Sequence, residues 1–156
     1  MILNSKSIGL YVHIPFCQFM CHYCDFAKTA RWDQNLTDSY WLALERHLEA
    51  WLKNIIIPQG LSFDTLYFGG GTPGLFSKEY QGFIDKVRPH LRNNSEVTIE
   101  TNPNLVTPEK LTAWQSSGIN RISIGIQSFS KPGLRFLTRD HQETDLKEAI
   151  GLAKSY

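Results

Sequence analysis

Cys17-Gln18-Phe19-Met20-Cys21-His22-Tyr23-Cys24 is the segment whose residue types promise chemistry. Three thiolates on so short a loop can wrap one face of a cubane iron–sulfur cluster and ligate three of its four irons. The fourth iron then has no ligand within the loop, and an open iron can bind and reduce a small molecule directly. The same residues admit a different site, a structural Cys₃His zinc centre with His13 or His22 as the fourth ligand. Both readings are metal chemistry. A disulfide framework is excluded, because the chain has only these 3 cysteines, an odd number packed into one loop.

Polar residues recur after apolar runs further along. Gly69-Gly70-Gly71-Thr72-Pro73 follows the run FDTLYF. Consecutive glycines allow close backbone approach and expose N–H groups that suit a carboxylate or phosphate, with the Thr72 hydroxyl as a further donor; the alternative is a tight turn. The run is not a nucleotide P-loop, because no Gly-Lys-Ser/Thr follows. Glu100-Thr101-Asn102-Pro103 offers a carboxylate for ribose hydroxyls or an amino group. Gln127-Ser128-Phe129 offers an amide, and Arg139 a clamp for a carboxylate.

The elements that must place these groups alternate regularly. IGLYVHI (8–14), FDTLYF (63–68), EVTIET (96–101) and RISIGIQ (121–127) read as strands. Helices are predicted over 38–55, capped by Thr37 or Asp38, and over 77–91, with Pro89 distorting the last turn. A third runs from Thr107-Pro108-Glu109 to Gly118, and a fourth over 142–156 behind an Asp140 cap. Four strand–helix units imply an α/β fold with parallel strands and right-handed crossovers, either doubly wound or part of a (β/α) barrel. In both, functional groups gather at the C-terminal strand ends, where every motif above lies.

Composition narrows the partners. The chain has 156 residues, 42% hydrophobic and 20% charged, with net charge +1. That describes one globular domain without the basic surplus of a nucleic-acid or anionic-membrane binder. No apolar run approaches the ~20 residues of a membrane span. The N-terminal MILNSKSIGLYVHIPF lacks the marks of a signal peptide, so the expected location is the cytoplasm.

Together, Tyr11-Val12-His13-Ile14-Pro15-Phe16-Cys17, the Cys-x3-Cys-x2-Cys spacing, Gly-Gly-Gly-Thr-Pro, Glu-x-Asn-Pro and Gly-Ile-Gln-Ser-Phe resemble the radical-SAM superfamily. The likeness is to its branch of oxygen-independent coproporphyrinogen III oxidases and HemW-type heme chaperones, and it covers nearly the whole chain. It implies a partial (β/α) barrel of about four parallel strand–helix units, and a [4Fe–4S] cluster held by Cys17, Cys21 and Cys24. S-adenosylmethionine (SAM) would chelate the open iron through its amino and carboxylate groups. Tyr11, Gly70, Gly71 and Thr72 would meet its methionine end. Glu100 would support its amino group or ribose, Gln127 and Arg139 would line the pocket, and Tyr23 would pack beside it. The resemblance also implies a porphyrin or heme ligand, a flavodoxin- or ferredoxin-type electron donor and a heme-recipient protein.

Two departures refine the expectation. The oxidases carry a fourth cysteine two positions after the third; here that position is Phe26, as in the chaperone subgroup. Thr138 stands where that subgroup places glycine before the arginine. The branch's chains are longer, with about six units and a C-terminal domain associated with heme. Residues 1–156 are therefore expected to form the N-terminal part of the core domain, as a truncated product or fragment that binds heme weakly.

Overall fold

A computed structural model of the chain describes residues 7–139 and 143–156. Four strands form one parallel sheet: β1 (Ser7–Ile14), β2 (Ser62–Gly70), β3 (Leu91–Thr101) and β4 (Arg121–Ile124). Their spatial order is β1-β2-β3-β4, the order of the chain. A doubly wound sheet reverses direction at a switch point, and this one does not. It winds one way, as a barrel wall does, and is a partial barrel because, among the described residues, β1 pairs only with β2 and β4 only with β3.

Helices cover one face. α1 (Gln34–Trp51) continues into a π-helical turn (Leu52–Ile56) and a last turn, α2 (Ile57–Gln59), stopped by Gly60 in the left-handed region. Its cap is Asp33, whose carboxylate accepts from the Leu36 amide at 2.8 Å, so the helix starts a turn before the predicted Asp38. α3 (Glu79–Val87) is shorter than predicted: Pro89 turns its end into a 3-10 turn, and the chain enters β3 at Leu91. α4 (Pro108–Ser117) matches its prediction, capped by Thr107 and closed by Gly118 at φ +105°. α5 (Lys131–Phe136) was not predicted, and α6 (Glu143–Ser155) ends the chain. The predicted cap Asp140 lies outside the described residues.

Leu66, Phe68, Val97, Ile99, Val12 and Ile14 point from the sheet into a single core with Trp41, Tyr80, Phe83 and Trp114 from the helices. Strand side chains alternate, so Tyr11, His13, Tyr67, Gly69, Glu100 and Ser123 take the opposite, inner face. Register sets Tyr11 beside Tyr67, His13 beside Gly69 and Glu100 beside Ser123. Stability and chemistry thus occupy opposite sides of one sheet.

Candidate functional site

The cysteine segment leaves β1 and is sewn back to it. The Cys17 amide donates to the Thr29 carbonyl at 2.9 Å and the Thr29 amide to Pro15 at 2.8 Å. The Trp32 indole donates to the Cys17 carbonyl at 2.7 Å, and the Lys28 ammonium to that of Cys24. His13 Nε2 lies 2.7 Å from the Ala27 carbonyl. A carbonyl only accepts, so Nε2 donates to it, and Nδ1 lies 3.1 Å from the Tyr11 hydroxyl.

Both His13 nitrogens are therefore engaged, which counts against its service as a zinc ligand. Among the described residues no three His, Cys, Asp or Glu side chains are arranged around a single-ion position. The three free thiols instead line one cleft, Cys17 buried and Cys21 and Cys24 partly exposed. Burial raises the Cys17 pKa, a Thr72 hydrogen bond lowers it, and the charges of Cys24 and Cys21 raise it further. Three thiols facing one cleft match the donor set of an iron–sulfur cluster.

The glycine run serves differently from the N–H cradle expected of it. Gly69 and Gly70 belong to β2. The Gly70 amide donates to Glu100 Oε2 at 3.2 Å. Those of Gly71 and Thr72 donate to the Ile14 and Phe16 carbonyls, each at 2.8 Å. The Gly71 and Thr72 amides hold the chain leading into the cysteine segment, and that of Gly70 holds Glu100. Gly71 is required by proximity: a Cβ there would lie 2.7 Å from the Phe16 carbonyl oxygen. The carbonyls beyond are also occupied. Pro73 accepts from the buried Tyr80 hydroxyl at 2.7 Å, Gly74 and Leu75 accept from the Lys110 ammonium, and Phe76 from the Trp114 indole at 2.9 Å.

Across the cleft, Tyr67 donates to Glu100 Oε1 at 2.6 Å. Arg139 Nη2 donates to Asn102 Oδ1 at 2.6 Å and to the Gly125 carbonyl at 2.8 Å, while Nη1 lies 3.8 Å from Cys21 Sγ. Arg139 Nε is buried without an acceptor among the described residues. A guanidinium fixed at Nη2 on the wall of the cleft suits an anionic group. Gln127 has φ +59° on the rim, which ends β4 before the predicted Gln127 and turns the chain over the cleft. Burial raises the Tyr23 pKa and the nearby Arg139 lowers it.

Of the residues expected to hold the cluster and SAM, all except Tyr11 line this one cleft, of about 380 Å³, while the alternative zinc ligands His13 and His22 do not. Tyr11 stands beside it, stacked on Tyr67 at 6.1 Å between ring centroids. Sequence reasoning missed Tyr67, Asn102, Ser123 and Lys28. Asn102 lay in a quoted motif, and strand alternation puts Tyr67 on the face of Glu100.

The Radical SAM superfamily matches residues 11–156. The chain belongs to this superfamily. A radical SAM protein carries a [4Fe–4S] cluster and SAM, and the thiol set and the cleft fit both. The chain is 38% identical over 155 residues to the heme chaperone HemW of Escherichia coli, covering 97% of this chain and 40% of that protein. It is 37% identical over 151 residues to HemW of Haemophilus influenzae, covering 94% and 39%. Among solved structures, coproporphyrinogen III oxidase of E. coli superposes with a TM-score of 0.83 at 28% identity, covering 97% of this chain and 35% of the oxidase. The chain thus spans about 40% of the length of the curated relatives it matches. No helix among the described residues is long and apolar enough to cross a membrane.

Proposed function

We propose that residues 1–156 form the N-terminal, cluster- and SAM-binding part of a HemW-type heme chaperone. Cys17, Cys21 and Cys24 hold the [4Fe–4S] cluster. Gly70, Gly71 and Thr72 form the wall for the methionine end of SAM, and Arg139 takes the carboxylate. Glu100 receives the amino group or a ribose hydroxyl, with Gln127, Tyr23 and Tyr11 closing the surroundings. When bound, the cluster supplies an electron to the sulfonium; the chain's own part is to orient SAM and shield the cluster. Heme is the ligand of the longer form, handed to a recipient protein in the cytoplasm, with a flavodoxin or ferredoxin as electron donor.

The observation carrying this reading is the convergence of the three thiols, the glycine turn, Glu100 and Arg139 on one cleft. The choice of chaperone rests on Phe26, where an oxidase has cysteine, and on the higher identity to HemW. A coproporphyrinogen oxidase is the second reading, favoured by the close superposition on that enzyme; turnover of coproporphyrinogen with SAM and a reductant would select it.

Anaerobic reconstitution followed by metal and sulfide analysis is the test. About four iron and four sulfide per chain are expected. Cys21→Ala should lose them, because two thiolates hold a cubane poorly. Near-stoichiometric zinc without labile sulfide, or an unchanged cluster in Cys21→Ala, would overturn the assignment.

A further inference from the structure

Glu100 is held on both carboxylate oxygens. The Gly70 amide reaches Oε2 at 3.2 Å, but the shorter bond comes from Tyr67, whose hydroxyl donates to Oε1 at 2.6 Å. A hydroxyl–carboxylate bond of that length is in the strong, charge-assisted class. Tyr67 is placed for it by the sheet itself. Leu66 and Phe68 on either side are fully buried in the core, which fixes Tyr67 on the inner face.

Its ring leans over Gly69, where a Cβ would lie 2.9 Å from Tyr67 Cε1, 2.9 Å from Tyr11 Cε2 and 3.2 Å from Glu100 Oε2. Gly69 is thus the gap into which two tyrosine rings and the carboxylate fit. The rings stack at an interplanar angle of 21° and form a floor from which the Tyr67 hydroxyl reaches up to Glu100. Tyr67 does not line the cleft, while Glu100 does.

We infer that Tyr67 is a positioning residue: it fixes the Glu100 carboxylate for SAM without touching SAM. The inference rests on the assignment of Glu100 to the SAM pocket. The orientation of a carboxylate decides which of its lone pairs face a cationic amino group or a ribose hydroxyl. One hydrogen bond from Tyr67 selects that orientation before SAM arrives.

The test is Tyr67→Phe, which removes only the hydroxyl, measured on the reconstituted chain by SAM affinity. A weakening of about ten-fold is expected for loss of a hydrogen bond to a charged acceptor. The measurement is repeated in a Glu100→Ala background, where the Tyr67 substitution should add nothing, because its effect runs through the carboxylate. In the chain without cofactors, exchange of the Gly70 amide hydrogen should quicken in Tyr67→Phe as the carboxylate swings free, while core amides keep their rates. Unchanged affinity, additive losses in the double variant or an unchanged Gly70 rate would each overturn the role. A parent chain that fails to bind SAM would overturn the SAM assignment instead, and the Gly70 measurement, which needs no cofactor, would still decide the positioning of Glu100.

Discussion

Thr138 shows at the residue scale how a departure from a family pattern becomes a physical statement. It follows α5, its amide donates to the Arg135 carbonyl at 3.1 Å, and its φ is +54°. This is the left-handed position that closes helices, where glycine is the norm. A β-branched residue there is strained by about 1–2 kcal/mol, and glycine gives back about 0.5–1 kcal/mol through its looser unfolded state. Thr138→Gly should therefore stabilise the chain by up to about 1 kcal/mol and raise its thermal midpoint by about 2–4 °C. A lower midpoint would mean that contacts of the Thr138 side chain outweigh its strain. The next residue is Arg139, so the strain sits beside the guanidinium that closes the cleft.

Lys110 poses the corresponding problem at the scale of elements. It lies in the first turn of α4, where the helix dipole disfavours a cation, and burial lowers its pKa. What holds it is the turn after β2, whose Gly74 and Leu75 carbonyls accept from its ammonium. Lys110→Met should leave both carbonyls without that donor and cost about 1–3 kcal/mol, lowering the urea midpoint without changing the slope. No loss would mean that water replaces the ammonium freely. Such links also mark what the sequence could not disclose. Runs of β-branched and aromatic residues located all four strands, and Thr107-Pro108 with Gly118 fixed α4, because those signals are local. β2 extends through Gly69 and Gly70, residues without a strand signature, because the neighbouring strand supplies the pairing. α5 is short and holds Pro132 and Gly133, so no apolar repeat announces it. The cysteine loop, the glycine turn and Arg139 were readable as motifs. The wiring between them was not, since Tyr67–Glu100, His13–Ala27 and Lys110–Gly74 join residues far apart in the chain.

On the scale of the whole molecule, the division between the two faces of the sheet decides how metal and fold are related. The core cluster runs from Val12 and Ile14 through β2 and β3 to Trp41, Tyr80, Trp114 and Ala149, so it joins β1 to α6 without any cysteine. A small zinc domain whose ligands replace a core unfolds when the metal leaves. This chain has its apolar layer on the opposite side from the thiols, and the cysteine loop is closed by backbone bonds between Cys17, Thr29 and Pro15, just past β1. Removal of iron by chelation should therefore leave a cooperative unfolding transition, with tryptophan fluorescence and far-ultraviolet circular dichroism changing together. The cluster should raise the midpoint by mass action, because the folded cleft binds it and the unfolded chain does not. Gly71 and Thr72 connect the two faces through their bonds to the Ile14 and Phe16 carbonyls, so part of the loaded protein's added stability should reach the sheet. A chain that loses its cooperative transition on chelation would contradict this division, and would make the metal a structural member of the fold.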